Sequence, residues 1–220
     1  MLYIVATPIG NLEDITLRAL RVLKEVNTIV CEDTRHTKIL LNKYEIEKPL
    51  LSYHSHSGAS KVQKVVDLLE EGKNLALVSD AGTPGISDPG YAVVKAALEK
   101  GIEVVPLPGA SAFLTALMVS GFPINHFLYL GFLPVKKGRQ TMFLKLKEEK
   151  NTVVFYESPY RILKTLGELK EYLGEDREIV LARELTKKFE EFKRGTVGEV
   201  YEEMQGNKPK GEFVFILKGI

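Results

Sequence analysis

The sequence has little cysteine, almost no net charge and no long hydrophobic run. Cys31 is its only cysteine, so an intrachain disulfide is excluded. The apolar neighbours Ile29 and Val30 predict that Cys31 is a buried thiol rather than a nucleophile. No apolar run approaches the ~18 residues that a membrane span needs, and residues 1–6 lack a basic leader. These absences favour a soluble protein of the reducing cytoplasm.

Several common nucleotide-binding and catalytic motifs are also missing. Neither G-x-G-x-x-G nor G-x-x-x-x-G-K-[ST] occurs, which disfavours the usual NAD and P-loop sites. Without G-x-S-x-G, and with no evident partner for Cys31, covalent hydrolase chemistry is not indicated either. His54 and His56 share one face of a strand, but no third ligand is signalled nearby. We therefore predict no metal site.

The positive charge is concentrated, although the net charge is only +1. Basic residues cluster at residues 35–38, 136–147 and 187–194. Each cluster alone is typical of a solvated face. Three clusters in a chain of 220 residues favour a polyanionic substrate.

Hydrophobic periodicity in the first half predicts an α/β domain over residues 1–115. Short β-branched runs alternate there with helical patterns, which is typical of parallel strands joined by crossover helices. The predicted strands are residues 2–6, 28–31, 50–53, 75–78 and 102–105, and the predicted helices are residues 16–26, 34–44, 59–71 and 91–100. The pattern thus predicts a mainly parallel five-strand sheet.

The sequence pattern of residues 116–220 differs from that of the first half and predicts a second α/β domain. Its predicted strands are residues 127–132, 152–156, 179–182, 189–194 and 213–217, with an amphipathic helix at residues 162–172. No long helical pattern separates the last three strands, which favours a mixed or largely antiparallel sheet. We expect the boundary near a helix at residues 111–119.

The strongest functional signal is the loop at residues 79–90, which reads S-D-A-G-T-P-G-I-S-D-P-G and follows a predicted buried strand. Glycine lets the main chain approach a ligand closely or adopt positive φ, and proline stiffens the loop. Asp80 and Asp88 are able to accept hydrogen bonds from ribose hydroxyls or an ammonium group. Because α/β proteins bind ligands at the carboxyl ends of strands, we predict a ligand site here.

Four further motifs lie at predicted strand exits. Residues 6–12 (A-T-P-I-G-N-L) and 106–112 (P-L-P-G-A-S-A) offer small residues against which a bulky ligand packs, and Ser111 is expected to cap a helix. Residues 31–38 (C-E-D-T-R-H-T-K) are either a site that binds phosphate and moves a proton or an acidic helix start capped by Thr34. Residues 155–161 (F-Y-E-S-P-Y-R) and 182–187 (A-R-E-L-T-K) end apolar runs with charged groups.

In this order, residues 6–12, 32–35, 79–90, 155–159 and 182–187 resemble motifs of the tetrapyrrole methylase superfamily, and within it those of bacterial small-subunit ribosomal RNA methyltransferases. The resemblance implies a homodimer of two-domain chains that bind S-adenosylmethionine in a cleft between the domains. It also implies methyl transfer to the ribose 2′-oxygen of a cytidine in the decoding region. Many members continue into a further C-terminal segment, whereas this sequence ends at Ile220, so the extent of its RNA-binding surface is left open.

The resemblance also implies which residues bind the cofactor, and the chemistry of the charged residues offers candidates for the other roles. The cofactor-binding positions it implies are Pro8, Asp80, Ala81, Gly82, Thr83, Gly85, Ile86, Leu107, Ser111, Ala112, Tyr156, Leu185, Gly211 and Glu212. The candidates for a general base are Glu32, Asp33, His36 and Glu184. The candidates for contacts with RNA phosphates are Arg35, Lys136, Lys137, Arg139, Arg161, Arg183 and Lys187.

Two other functions stay open at this point. One is a methyltransferase acting on a tetrapyrrole or similar small molecule, which the loop at residues 79–90 does not distinguish but the basic clusters disfavour. The other is a module that binds RNA or a nucleotide without turnover. A pure RNA binder would ignore S-adenosylmethionine, so a binding measurement separates it from both enzymes.

Overall fold

The chain divides into two compact units, Met1–Ser111 and Ala112–Ile220. The computed structural model describes residues 1–54, 58–206 and 208–220. The helix that the sequence predicts at residues 111–119 is observed at Ala112–Met118. It therefore belongs to the second unit.

The first unit is a parallel sheet of five strands with helices on both faces. Its elements are β1 (Leu2–Val5), α1 (Leu17–Glu25), β2 (Thr28–Cys31), α2 (Thr34–Lys43), β3 (Leu50–Ser52), α3 (Ala59–Glu70), β4 (Leu75–Val78), α4 (Gly90–Glu99) and β5 (Val104–Leu107). The strand order is β3-β2-β4-β1-β5, and every pair is parallel. The predicted five-strand parallel sheet is thus confirmed.

Two apolar layers cover the faces of this sheet. Helices α1 and α2 pack on one face around Val22, Leu23 and Leu41, and helices α3 and α4 pack on the other around Val65 and Val93. The chain leaves β1 towards one edge of the sheet and β4 towards the opposite edge. Because β1 and β4 are neighbours, their exits form a topological switch point, where open α/β sheets bind ligands.

Two local predictions in this unit are wrong in detail. Asp33, not Thr34, caps α2, because the Asp33 carboxylate accepts the Arg35 N–H at 2.8 Å and Thr34 is already helical. Strand β5 begins two residues later than predicted and includes Pro106. Proline is tolerated there because β5 is an edge strand of the sheet.

The second unit is a mixed sheet with three helices on one face and α5 on the other. Its elements are α5 (Ala112–Met118), β6 (Phe127–Phe132), α6 (Arg139–Lys147), β7 (Thr152–Glu157), α7 (Ile162–Leu173), β8 (Glu178–Arg183), β9 (Glu191–Thr196), α8 (Val197–Met204) and β10 (Phe213–Leu217). The order is β6-β7-β10-β8-β9, with only the first pair parallel. The predicted mixed sheet is confirmed.

Helices α6 and α8 were not predicted, and α8, of eight residues, lies between β9 and β10, where the sequence shows no long helical pattern. The signal for α8 is present in the sequence. Thr196 and Glu199 form a reciprocal capping box, and Val197, Val200 and Met204 bury one face of the helix. Within the described part of the chain, no helix is both long and apolar enough to cross a membrane.

Candidate active site

Three loops meet at the carboxyl edge of the first sheet. Thr7 and Gly82 exchange backbone hydrogen bonds, which join the exits of β1 and β4. The Thr7 hydroxyl also donates to the Ser79 carbonyl at 3.0 Å. The Thr83 hydroxyl donates to the Ala110 carbonyl at 3.2 Å, so the loop after β5 joins the same cluster. The motifs at residues 6–12, 79–90 and 106–112 therefore form one surface at the switch point.

Glycine is required at several points of this surface. Gly82 and Gly85 have φ values of 82° and 87°, in the left-handed region that disfavours side chains. A Cβ on Gly109 would lie 2.7 Å from the Ala6 Cβ, closer than two carbon atoms pack. The surface is accordingly made of backbone and small side chains, which suits close contact with a flat or bulky ligand.

Asp88 folds the glycine-rich loop. Its Oδ1 accepts the N–H groups of Gly85 at 2.6 Å and Gly90 at 2.9 Å. Burial raises the pKa of Asp88, against these two hydrogen bonds, and the charge of Asp80 adds to the rise. The sequence-based interpretation of Asp88 as a ligand acceptor missed this structural role.

Glu32 and Asp80 lie at the neighbouring exits of β2 and β4. The Asp80 Oδ1 accepts the Asp33 N–H at 3.0 Å, which ties the two exits together. Glu32 is half-buried, and burial raises its pKa, with further contributions from the negative charges of Asp80 and Asp88. A carboxyl group with a raised pKa beside two other carboxyl groups is a candidate for proton transfer.

The other polar groups of this motif stabilise the start of α2. Arg35 Nη2 lies 2.7 Å from Asp33 Oδ2, and the hydrogen bonds from the Arg35 side chain and N–H lower the pKa of Asp33 to about 2. His36 is exposed in the first turn of α2. Of the two alternatives that the sequence left open, the capped helix start is observed at Asp33, and a site at Glu32 stays a prediction.

In the second unit, Glu184 holds the turn before β10. Its carboxylate accepts the Glu212 N–H at 2.9 Å and Lys187 Nζ at 3.0 Å. Burial alone would raise the pKa of Glu184, but these bonds lower it overall. A Cβ on Gly211, whose φ is 97°, would lie 2.6 Å from the Glu184 carboxyl carbon. The turn at Gly211 and Glu212 is therefore fixed by its contacts with Glu184 and Lys187.

Tyr156 belongs to an aromatic cluster of the second unit. Its ring centroid lies 5.7 Å from Tyr129, edge-on, and 5.4 Å from Phe132. Burial raises the pKa of Tyr156, and Tyr129 adds to the rise, so its hydroxyl stays protonated at neutral pH. Leu185 is buried, and the neighbouring Thr186 Oγ1 is buried without a hydrogen-bond partner among the described residues.

Arg139 contradicts its predicted contact with RNA. Its side chain is buried, and its guanidinium group donates to Glu168, Thr165 and the Pro134 carbonyl. All three of its nitrogens are therefore engaged inside the unit and are unavailable to a phosphate. The prediction from sequence was wrong because a run of basic residues does not reveal that Arg139 faces the buried carboxylate of Glu157.

The remaining basic candidates differ in how far they are engaged. Lys136 and Lys137 are exposed, and Arg35 is exposed beside Asp33. Arg161 pairs with Glu157 at 2.5 Å. Arg183 donates to the Lys210 carbonyl at 2.7 Å. The most accessible charges are accordingly those of Lys136, Lys137 and Arg35.

The other predicted positions divide by exposure. Pro8, Leu107 and Ser111 are buried, Ala112 is half-buried, and Ala81 and Ile86 are exposed. Of the histidine pair considered for a metal, His56 lies outside the described residues. Among the residues the structure does describe, no group of three His, Cys, Asp or Glu side chains is arranged to hold an ion.

Relatives of known name match the whole chain. It is 50% identical over 218 residues to ribosomal RNA small subunit methyltransferase I of Thermotoga maritima, covering 99% of this chain and 98% of the relative. It is 51% identical over 220 residues to the protein of that name from Bacillus subtilis, covering all of this chain and 75% of the relative. The corresponding protein of Escherichia coli O157:H7 is 49% identical and is covered to 77%.

Solved structures show the same fold at lower identity. A cobalt precorrin-4 methyltransferase matches with a TM-score of 0.71 and 18% identity over 99% of this chain and 94% of the other. Uroporphyrin-III C-methyltransferase from Thermus thermophilus matches with a TM-score of 0.67 and 22% identity, covering 98% and 93%. The family model for tetrapyrrole (corrin/porphyrin) methylases matches residues 1–201. The chain thus belongs to the tetrapyrrole methylase family and is a methyltransferase that uses S-adenosylmethionine.

Proposed function

We propose that this chain transfers the methyl group of S-adenosylmethionine to the ribose 2′-oxygen of a cytidine in the decoding region of small-subunit ribosomal RNA. The observation that supports this most is the identity of about half of all residues, over the whole chain, with relatives named for that RNA. The solved structures named for tetrapyrrole chemistry are less than 25% identical and support the fold alone. The exposed lysines Lys136 and Lys137 suit a polyanion.

The residues at the switch point fit the proposed cofactor. Gly85 and Gly109 are exposed and leave backbone groups rather than side chains at the surface, and buried Gly82 joins the exits of β1 and β4. When bound, S-adenosylmethionine supplies a methyl group already activated by a sulfonium. We assign its methionine and ribose parts to the loop at residues 79–90.

The adenine contacts are assigned to the second unit. We propose that Tyr156, Leu185 and the turn at Gly211 and Glu212 contact the adenine. Glu184 and Lys187 then act indirectly, because they hold that turn in place. Thr186 Oγ1, which has no hydrogen-bond partner among the described residues, is an additional hydrogen-bonding group beside Leu185, and this fits a heterocycle with several ring nitrogens.

Glu32 is the proposed acceptor of the hydroxyl proton. Of the four candidates, Asp33 and Glu184 have lowered pKa values because each accepts hydrogen bonds from a cation and a backbone N–H. Glu32 has a raised pKa and therefore a higher proton affinity. Most of the acceleration comes from holding the oxygen in line with the methyl group at roughly 3–3.5 Å, and a base adds about 10²–10⁴-fold.

We further propose that the enzyme acts in the cytoplasm as a homodimer on assembled small subunits. The decisive experiment incubates purified protein and labelled cofactor with naked ribosomal RNA, assembled small subunits and a tetrapyrrole, side by side. Label is expected in the RNA, at a cytidine whose 3′ phosphodiester becomes resistant to alkali because its 2′-oxygen is blocked. Label in the tetrapyrrole alone would overturn the proposal, and cofactor-independent RNA binding without transfer would indicate a non-catalytic module.

A further inference from the structure

Tyr160 is the most exposed large apolar or aromatic side chain among the described residues, at 96%. It lies in a single 3₁₀ turn, Pro159–Arg161, between the end of β7 and the start of α7. The turn is flanked by Glu157 and Ile162, both of which are buried. An aromatic ring in this position contributes almost nothing to the core, and nearly all of its surface is available for contact with a ligand.

Glu157 stabilises the turn that carries Tyr160 through contacts with the residues on either side of it. This carboxylate is completely buried and accepts the Ser158 N–H at 2.8 Å and the Thr165 hydroxyl at 2.7 Å. It also pairs with Arg161 Nη2 at 2.5 Å. The residues on both sides of the tyrosine are therefore fixed, and little backbone entropy remains to be lost on binding.

The same ionic network positions the loop at residues 133–138. Arg161 Nη1 donates to the Leu133 carbonyl at 3.3 Å, and Arg139 Nη1 donates to the Pro134 carbonyl at 2.9 Å. Leu133 and Pro134 are the two residues before Val135, which is exposed. Buried Arg139 and partly buried Arg161 thus join the loop before α6 to the turn that carries Tyr160.

The surface that results is basic. Arg139 and Arg161 are balanced by Glu157 and Glu168, so they add no net charge. Exposed lysines lie on the same segments: Lys136 and Lys137 in the loop, and Lys164 in the first turn of α7. None of these lysines forms an ion pair within the described part of the chain. We call Val135, Lys136, Lys137, Tyr160 and Lys164 the Tyr160 surface.

We infer that the Tyr160 surface binds a single-stranded segment of the substrate RNA, with one unpaired base stacked on Tyr160 and neighbouring phosphates on Lys136 and Lys137. This inference rests on the proposed function. Stacking on an aromatic ring tolerates any base, because every base has a π-face, and lysines follow the backbone. A base inside a duplex is already stacked, so the surface selects unpaired RNA.

A tryptophan reporter tests the stacking directly. The chain contains no tryptophan, so Tyr160→Trp introduces a single emitter whose fluorescence is quenched by a stacked base. The probes are oligocytidine, a blunt RNA duplex and inorganic polyphosphate. Leu98→Trp is the matched control, because Leu98 is 58% exposed at the carboxyl-terminal end of α4, the end remote from the switch point. We expect oligocytidine to quench Tyr160→Trp strongly, and neither polyphosphate nor the duplex to do so.

Two results would overturn the inference. Equal quenching of Tyr160→Trp and Leu98→Trp by oligocytidine would show that the response is not specific to this surface. A change of Tyr160→Trp emission with protein concentration, in the absence of RNA and unaltered by oligocytidine, would assign the surface to contact between copies of the chain.

Substitutions at Tyr160 test whether RNA affinity depends on an aromatic ring or only on apolar volume at this position. Tyr160→Phe keeps the ring, whereas Tyr160→Leu keeps apolar volume without a π-face. We expect Tyr160→Leu and Tyr160→Ala to weaken RNA affinity by about 5- to 140-fold, the range for one lost base stack. Tyr160→Phe is expected to bind RNA like the parent, and all three variants are expected to bind S-adenosylmethionine like the parent.

The assay distinguishes failure of this inference from failure of the proposed function. If the parent methylates small-subunit RNA and Tyr160→Ala does so with the same KM and RNA affinity, the inference is wrong and the function stands. If the parent methylates no RNA, the proposed function fails. In that case quenching of Tyr160→Trp by oligocytidine still decides whether the surface binds single strands.

Discussion

Thr7 and Gly82 exchange two backbone hydrogen bonds, of 2.9 and 3.0 Å, immediately beyond the carboxyl ends of β1 and β4. This pair closes the switch point of the parallel sheet, because the two strands send their connections towards opposite edges. Gly82 makes these bonds with a φ of 82°. The position of the glycine-rich loop therefore depends on one residue that lacks a side chain.

Replacing Gly82 by valine is expected to abolish cofactor binding while the protein stays folded. A Cβ at Gly82 meets Ile9 and Ala110 at ordinary distances of 3.5 and 3.6 Å, so the strain comes from the positive φ, at about 1–2 kcal/mol. Titration calorimetry with S-adenosylmethionine measures the loss. The matched control is Gly72→Val, because Gly72 has a φ of 81° at the end of α3, where nothing lies within 4 Å. An unchanged affinity in folded Gly82→Val would exclude this loop from the site.

Glu32→Gln is expected to reduce turnover by about 10²–10⁴-fold, the usual contribution of a general base. Cofactor affinity is expected to stay unchanged, and single-turnover assays measure both quantities. Asp33→Asn is the control, because asparagine also caps helices and Asp33 is committed to the start of α2. Equal losses in the two variants would contradict the assignment of the base to Glu32.

The pH dependence follows from the raised pKa of Glu32. Only the ionised carboxylate accepts a proton, so methyl transfer is expected to fall as the pH decreases through a pKa above the ordinary glutamate value. The contribution of Glu32 to the free energy of unfolding changes with pH in the opposite direction to the rate. The folded state binds this proton more tightly than the unfolded chain, so the contribution of Glu32 is present at low pH and lost as the pH rises through the folded pKa. If the pH profile of the methyl-transfer rate is the same in Glu32→Gln as in the parent, Glu32 is not the base.

Arg139→Ala is expected to lower the free energy of unfolding by roughly 3–5 kcal/mol, because it removes the ion-pair partner of half-buried Glu168 and one of the two arginines that face buried Glu157. Gln140→Ala is the matched control, since Gln140 is exposed in the same helix, and it is expected to change stability by less than about 0.5 kcal/mol. Denaturant unfolding followed by circular dichroism compares the two. Similar midpoints would show that the buried network contributes little.

A homodimer is expected in solution, with twice the 24.6 kDa mass of one chain. Each unit of about a hundred residues buries limited surface alone, and Met118 at the end of α5 is 69% exposed. Multi-angle light scattering measures the mass. Met118→Lys is expected to shift the equilibrium towards monomers, whereas Leu17→Lys, at a position 86% exposed on α1, is expected to have no effect. A mass of one chain for the parent at micromolar concentration would contradict the dimer.

Local sequence by itself determined most of the elements, and it predicted the strand exits at which the candidate site lies. The alternation of apolar runs with helical patterns predicted the parallel sheet, because periodicity records which face each segment buries. The loop at residues 79–90 was recognisable because its glycines and prolines restrict the backbone in ways that an ordinary turn does not need. The capping box at Thr196 and Glu199 was equally readable and would have revealed α8.

Only the tertiary structure decided what the charged residues do. Asp33 and Glu32 are adjacent in sequence, yet one caps α2 and the other faces Asp80 and Asp88 across the sheet edge. Lys137 and Arg139 are two residues apart, yet one is exposed and the other is buried against carboxylates of β7 and α7. The physical reason is that a charge takes its role from partners distant in the chain, since burial and neighbouring charges set both its accessibility and its proton affinity.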